Sequence, residues 1–199
     1  MRSLARLAGR FGLLAIIGLT LAGCGVNNIP SQEEAAKAKW SQVLNQYQRR
    51  ADLIPNLVET VKGYAKQEAQ VLEAVVAARA RATSVQVPPD ILTNPEAFKK
   101  FQEAQSQLSG SLGRLLAISE NYPDLKSNQN FLALQSQLEG TENRISVARR
   151  DYIEAVQAYN TELKTFPGVI WASTLYKGNK PMETFTIAEE TKRPPQVKF

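Results

Sequence analysis

Histidine is absent from this 199-residue chain, and Cys24 is its only cysteine. An intramolecular disulfide is therefore excluded, as is a zinc site built from the usual nitrogen and sulfur ligands. Ser–His and Cys–His nucleophilic catalysis lack their base. No acidic loop of EF-hand type and no glycine-rich phosphate loop occurs, so neither metal nor cofactor is expected. Segments of strand period are missing before residue 168, which leaves helices. What remains is a composition of 43% apolar and 22% charged residues, ordinary for a folded protein. The net charge of +5 reflects Arg2, Arg6 and Arg10. Without residues 1–23 the 24 basic side chains fall to 21 against 19 acidic ones, a net of +2. No clustered basic face for nucleic acid is left.

Residues 1–10 carry three arginines and no acid, and residues 11–23 are apolar and uncharged. That run is short for a membrane span, which needs roughly 20 apolar residues. It fits the basic n-region and apolar h-region of a signal peptide. It ends in Leu21-Ala22-Gly23-Cys24, which resembles the lipobox of bacterial lipoproteins. The resemblance implies cleavage between Gly23 and Cys24 and acylation of Cys24, with burial worth roughly 0.8 kcal/mol per CH₂. An ordinary cleavable signal with a chance cysteine and an uncleaved anchor helix are the alternatives. Gly25 follows the cysteine rather than the Asp that resembles an inner-membrane retention signal. The outer membrane, facing the periplasm, is thus the expected location in a host with two membranes.

After a lipidated tether (24–30), Ser31-Gln32-Glu33-Glu34 reads as a capping box with Ser31 at the N-cap. Apolar residues then recur at heptad spacing in two columns. One holds Trp40, Tyr47, Ile54, Val61, Glu68 and Val75, the other Leu44, Ala51, Val58, Ala65 and Leu72. This pattern predicts a helix of about 50 residues, roughly 75–80 Å long. Pro55 interrupts it, and a kink there is expected, or else two helices separated at Ile54. A linker follows over Ser84–Asn94. Asn94-Pro95-Glu96 starts a second long helix with its seam on Phe98, Phe101, Gln105, Leu108, Leu112, Leu115 and Tyr122. A third begins near Ser127, with Phe131, Leu134, Leu138, Ile145, Ala148, Tyr152, Ala155, Tyr159 and Phe166 on its seam. Phe166-Pro167-Gly168 stops it.

The expected fold is all-α: an elongated antiparallel up-and-down bundle of three long helices over residues 31–188, with a short fourth helix over the apolar Val169–Tyr176. Residues 189–199 read as a loose tail. The aromatics Trp40, Tyr47, Tyr64, Phe98, Phe101, Tyr152 and Tyr159 sit at core spacing.

Two segments break the apolar pattern: residues 49–58, Arg-Arg-Ala-Asp-Leu-Ile-Pro-Asn-Leu-Val, and residues 141–152, Thr-Glu-Asn-Arg-Ile-Ser-Val-Ala-Arg-Arg-Asp-Tyr. In these runs the chain resembles the LemA family, over roughly residues 38–188. The resemblance implies an all-α bundle and a membrane-attached envelope protein, without supplying an activity. Relatives are often encoded beside other envelope proteins, including TPM-domain proteins, which makes these candidate partners. Three departures stand out. The family more often begins with an uncleaved membrane helix, Gln67 stands where many relatives have histidine, and Ile153 replaces a common asparagine.

Arg50 shares a heptad column with Val43, Leu57, Tyr64 and Val71, while Glu142 and Arg149 share one with Val156 and Leu163. Antiparallel packing brings such charges into a polar layer, joined by Arg49, Asp52, Asn56 or Arg150. Two roles are open for that layer: fixing the bundle's register, or docking a partner near Pro55. Three functions follow. The first is a non-enzymatic, lipid-anchored scaffold or docking protein for other envelope proteins. The second is a self-associating coiled-coil module at membranes, marked by an apolar face left unburied. The third, less favoured, is an enzyme using Glu59, Glu68, Glu142 or Asp151, which needs two carboxylates converging on a cleft.

Overall fold

The computed structural model describes residues 25–186. Gly23, Cys24, the apolar run before them and the tail 189–199 lie outside the described residues. Helix α1 spans Asn28–Tyr64. It starts earlier than the proposed capping box: Asn27 is the N-cap, Ser31 lies inside the helix, and Pro30 is accommodated in the first turn, where no intrahelical N–H is needed. Residues 28–30 are therefore bundle rather than tether, and Ile29 is fully buried.

Pro55 neither splits α1 nor marks its end, because the helix runs on to Tyr64. A proline at position 55 cannot donate to the carbonyl of Ala51, four residues back. Arg79 supplies the missing donor, its Nε bonding to the Ala51 carbonyl at 2.8 Å. The proline thus opens an acceptor on α1 that a neighbouring helix fills.

The expected 50-residue rod is instead a hairpin. At Ala65 the backbone leaves the helical region (φ −125°, ψ 55°), Lys66–Glu68 form a short 3₁₀ turn, and α2 (Ala69–Ser84) returns along α1. Glu68 explains the break. In a continuous helix it would occupy the apolar column between Val61 and Val75, an expensive place for a carboxylate. At the turn it stays half-exposed and accepts from the Tyr122 hydroxyl at 2.8 Å.

The segment 85–94 holds a 3₁₀ turn, Ile91–Thr93, with Ile91 and Leu92 buried. Helix α3 (Pro95–Ser119) begins as the sequence predicts, with the Ala97 N–H donating to Asn94 Oδ1 at 3.2 Å. A single turn, α4 (Pro123–Lys126), buries Leu125 and caps that end of the bundle. Helix α5 (Gln129–Glu162) opens on Asn128, whose Oδ1 accepts from the Phe131 N–H at 3.0 Å. It lies antiparallel to α1: Lys39 meets Asp151, Arg50 meets Glu142, and Tyr64 meets Asn128. The described residues thus form an all-α, up-down-up-down bundle of α1, α2, α3 and α5.

The short helix α6 (Gly168–Thr174) follows α5 closely. A Cβ on Gly168 would stand 2.1 Å from the Glu162 carbonyl oxygen, so only glycine fits this approach. Two expected core residues lie outside the core. Phe166 is 80% exposed because α5 ends at Glu162 and position 166 lies in the turn beyond it, and Tyr64, the last residue of α1, is 44% exposed.

Candidate functional site

Arg50 lies on the core-facing column of α1, and its side chain is 1% exposed. Burying a guanidinium is tolerable only if its donors are matched. Nη1 donates to Ser109 Oγ at 2.6 Å and to Glu142 Oε1 at 2.8 Å. Nη2 donates to the Gln105 side-chain oxygen at 2.7 Å and to the Gln105 carbonyl at 3.3 Å. Gln105 is itself oriented by its Nε2, which donates to the Ala82 carbonyl at 3.4 Å. Nε of Arg50 has no hydrogen-bond partner among the described residues. The Tyr47 ring covers the guanidinium at 5.0 Å, a cation–π contact. Burial pushes the Tyr47 hydroxyl above the ordinary tyrosine range, against the positive charges of Arg149 and Arg50.

This polar layer opens on a cleft of about 340 Å³ between α3 and α5, lined by Arg50, Ser106, Ser109, Glu142, Arg149 and Thr186. Thr186 is the last described residue of a strap, residues 175–186, that leaves α6 and runs back along α5. The Tyr159 and Tyr152 hydroxyls donate to the Lys180 and Glu183 carbonyls. Asn160 pairs with the Met182 backbone in both directions, and the Gln102 amide donates to the Thr186 carbonyl at 2.6 Å. The Arg149 guanidinium lies 4.3 Å over the Phe185 ring.

The LemA family model matches residues 39–199. The chain belongs to the LemA family. It is 26% identical over 157 residues to magnetosome protein MamQ 2 of Paramagnetospirillum magneticum, covering 71% of this chain and 58% of that protein. MamQ of Magnetospirillum gryphiswaldense matches to the same extent. Protein LemA of Metamycoplasma hominis is 27% identical over 118 residues, covering 59% of this chain and 49% of that one. The chain spans about half the length of these relatives.

In this LemA chain the two distinctive runs, 49–58 on α1 and 141–152 on α5, meet at their N-terminal ends through the Arg50–Glu142 pair. Of the other residues assigned to the layer, only Arg149 reaches the cleft, and it stacks on Phe185 rather than pairing with Glu142. Arg49, Asp52, Asn56 and Pro55 are exposed on α1, where Asp52 accepts from Gln48. Arg150 faces solvent beside Asp151 and Glu154. Sequence reasoning missed Ser109, Gln102 and the strap. Gln105 carried a readable signal, a polar residue on the α3 seam opposite a polar residue on the α1 seam. The four acids considered for catalysis do not converge. Glu59 faces Lys62, Glu68 bonds Tyr122, Glu142 bonds Arg50 and Asp151 bonds Lys39. The Lys39 ammonium holds the Asp151 carboxyl below the usual carboxylate range. Among the described residues no cluster of acids, and no helix apolar enough to cross a membrane, occurs.

Proposed function

We propose that this LemA-family chain is a non-enzymatic envelope protein, anchored by lipid on Cys24 at the periplasmic face of the outer membrane, that docks other envelope proteins at the Arg50–Arg149 cleft. The observation that carries the docking role is the cleft's charge. Arg50 and Arg149 line it against the single carboxylate of Glu142, and Arg149 spends its charge on an aromatic ring rather than an acid. A partner segment bearing a carboxylate would complete the balance, through charge-assisted bonds stronger than neutral ones. TPM-domain proteins are candidates for that partner. The four dispersed acids support a role without catalysis, and the Leu21-Ala22-Gly23-Cys24 run supports the anchor.

A photo-crosslinking side chain at the exposed rim residue Ser146 tests this in cells. The expected result is an adduct with an envelope protein that disappears in Arg149→Glu while the bundle keeps its helical content. Adducts indifferent to Arg149→Glu would overturn docking at the cleft. A second reading rests on a separate observation. The α1–α2 hairpin carries an apolar groove of about 690 Å³ lined by Val58, Leu72, Val76 and Ala77, with Val76 half-exposed. Self-association through that groove predicts a mass that rises with concentration. A constant monomer mass would remove it.

A further inference from the structure

The described residues carry nine exposed large apolar side chains, and four of them, Phe166, Val169, Ile170 and Leu175, fall within ten consecutive positions. The rest are scattered over α1, α2, α5 and the linker, as on any soluble surface. The four flank and occupy α6, whose other side is seated on the core by the half-buried Trp171 and Ala172. Packing therefore turns an apolar rim outward at one end of the bundle, with exposed Lys164 and Lys177 flanking it in the chain.

That end is also where the chain enters the bundle. Asn28 Nδ2 donates to Glu162 Oε1 at 3.3 Å, and a Cβ built on Gly25 would lie 3.4 Å from Pro167 Cγ. Gly25 is one peptide bond, about 3.8 Å between Cα atoms, from Cys24. Because residues 25–30 are folded onto the bundle rather than forming a tether, acyl chains on Cys24 bring the α6 end to the lipid headgroups.

We propose that residues 166–175 are a membrane-seating surface that lies in the headgroup region of the bilayer holding Cys24. The proposal rests on the lipid-anchor reading. Exposed Phe166 and Leu175 enter the boundary between headgroups and acyl chains, where apolar faces settle about 5–10 Å deep. Lys164 and Lys177 meet anionic headgroups, an attraction that short range confines to the surface. The anchor and the rim together hold that end of the bundle at the membrane, with the Arg50 cleft on the bundle's flank between α3 and α5.

The chain has two tryptophans, and Trp40 is buried in the core, so Trp171 is a built-in depth probe. Full-length protein purified from membranes is reconstituted into anionic phosphatidylglycerol-containing vesicles, with and without brominated acyl chains. The expected result is loss of the emission component that Trp171→Phe removes, in brominated vesicles only. In Phe166→Ser/Leu175→Ser that loss should shrink while circular dichroism is unchanged. Equal Trp171 emission in both kinds of vesicle, or quenching untouched by the double substitution, would overturn the seating surface. Intact mass of the same sample reads the anchor separately. A mass lacking acyl chains sinks the Cys24 reading, whereas the quenching still decides the rim.

Discussion

Around Trp40 the interior is aromatic and assembled from segments far apart in sequence. Around Leu108 it is aliphatic and drawn from helix seams. Trp40 has ring centroids of Phe98, Phe101, Tyr152 and Phe185 within 6.0 Å. Phe185 comes from the strap, and Ile91 and Leu92 of the same cluster come from the linker. The other cluster, Ile54, Leu57, Val61, Leu72, Val75, Leu108, Leu112 and Leu115 among others, closes over Leu125 with no strap. Arg50 stands between them. The difference teaches that heptad seams suffice to build a plain bundle half. Anchoring a non-helical segment instead takes large rings and side-chain hydrogen bonds to its backbone. Such rings add about 0.5–1.5 kcal/mol per favourable pair beyond their buried area.

The largest expected effect is at Trp40. Trp40→Ala should lose about 3–5 kcal/mol in urea unfolding, and hydrogen exchange should show the Met182 and Glu183 amides released first. Leu115→Ala should destabilise by about 2–5 kcal/mol without freeing those amides selectively. If both variants released the strap alike, the two halves would be one cooperative unit.

At the aliphatic half, Arg79→Met should cost about 1–3 kcal/mol by orphaning the Ala51 carbonyl. Combined with Pro55→Ala, which restores an N–H to that carbonyl, the loss should largely vanish. Additive effects in that double-mutant cycle would refute the pairing of Pro55 with Arg79.

At the boundary, Arg50→Ala should lose about 1–3 kcal/mol, because Gln105 and Ser109 lose their donor while the half-exposed Glu142 stays hydrated. Arg50→Met should be close to neutral, since apolar replacement of a buried ion pair often is. It would fuse the two cores into one. A large loss in Arg50→Met would show that the polar layer supplies net stability rather than register.

Tyr152→Phe tests the strap more gently, with a loss of about 1 kcal/mol from the bond to the Glu183 carbonyl. Burial raises the Tyr152 hydroxyl above its ordinary value of 10.0, and Tyr159 shifts the same way. The folded state therefore holds these protons more tightly than the unfolded chain does. Their contribution is complete below about pH 10 and is lost as the pH rises from there toward the folded values. Stability above pH 10 should accordingly fall less steeply in Tyr152→Phe. An unchanged slope would place the hydroxyl in water.

Smallest of all is Asp151→Asn. Its carboxyl, lowered by Lys39, favours the fold above the usual carboxylate pKa, and that favour disappears as the pH falls through the lowered value. The pair is solvent-exposed and screened, so the substitution should leave the melting temperature unchanged within error near neutrality and flatten the acid limb slightly.

Much of this could be read before any coordinates. The Asn94-Pro95-Glu96 start, the α3 and α5 seams and most of the buried rings follow from local capping and period 3.6. The α1–α2 hairpin did not, because the turn at 65–68 preserves the heptad phase and a rod and a hairpin write the same columns. Glu68 in an apolar column was the one clue. Pro55 drew attention to the wrong place, since its lost hydrogen bond is met from α2. In the candidate site, Arg149 was expected in the polar layer and instead covers Phe185, a residue in a segment without periodicity.

The sequence by itself determined the helices, their apolar faces and membership of the LemA family, because these depend on neighbours within a few turns. Only the tertiary structure decided where the first helix folds back, what satisfies the Ala51 carbonyl, and how the strap closes over Trp40. It also placed Gly25 against Pro167, beside the rim of Phe166 and Leu175. Each of those depends on a contact between residues tens of positions apart, which no local pattern encodes.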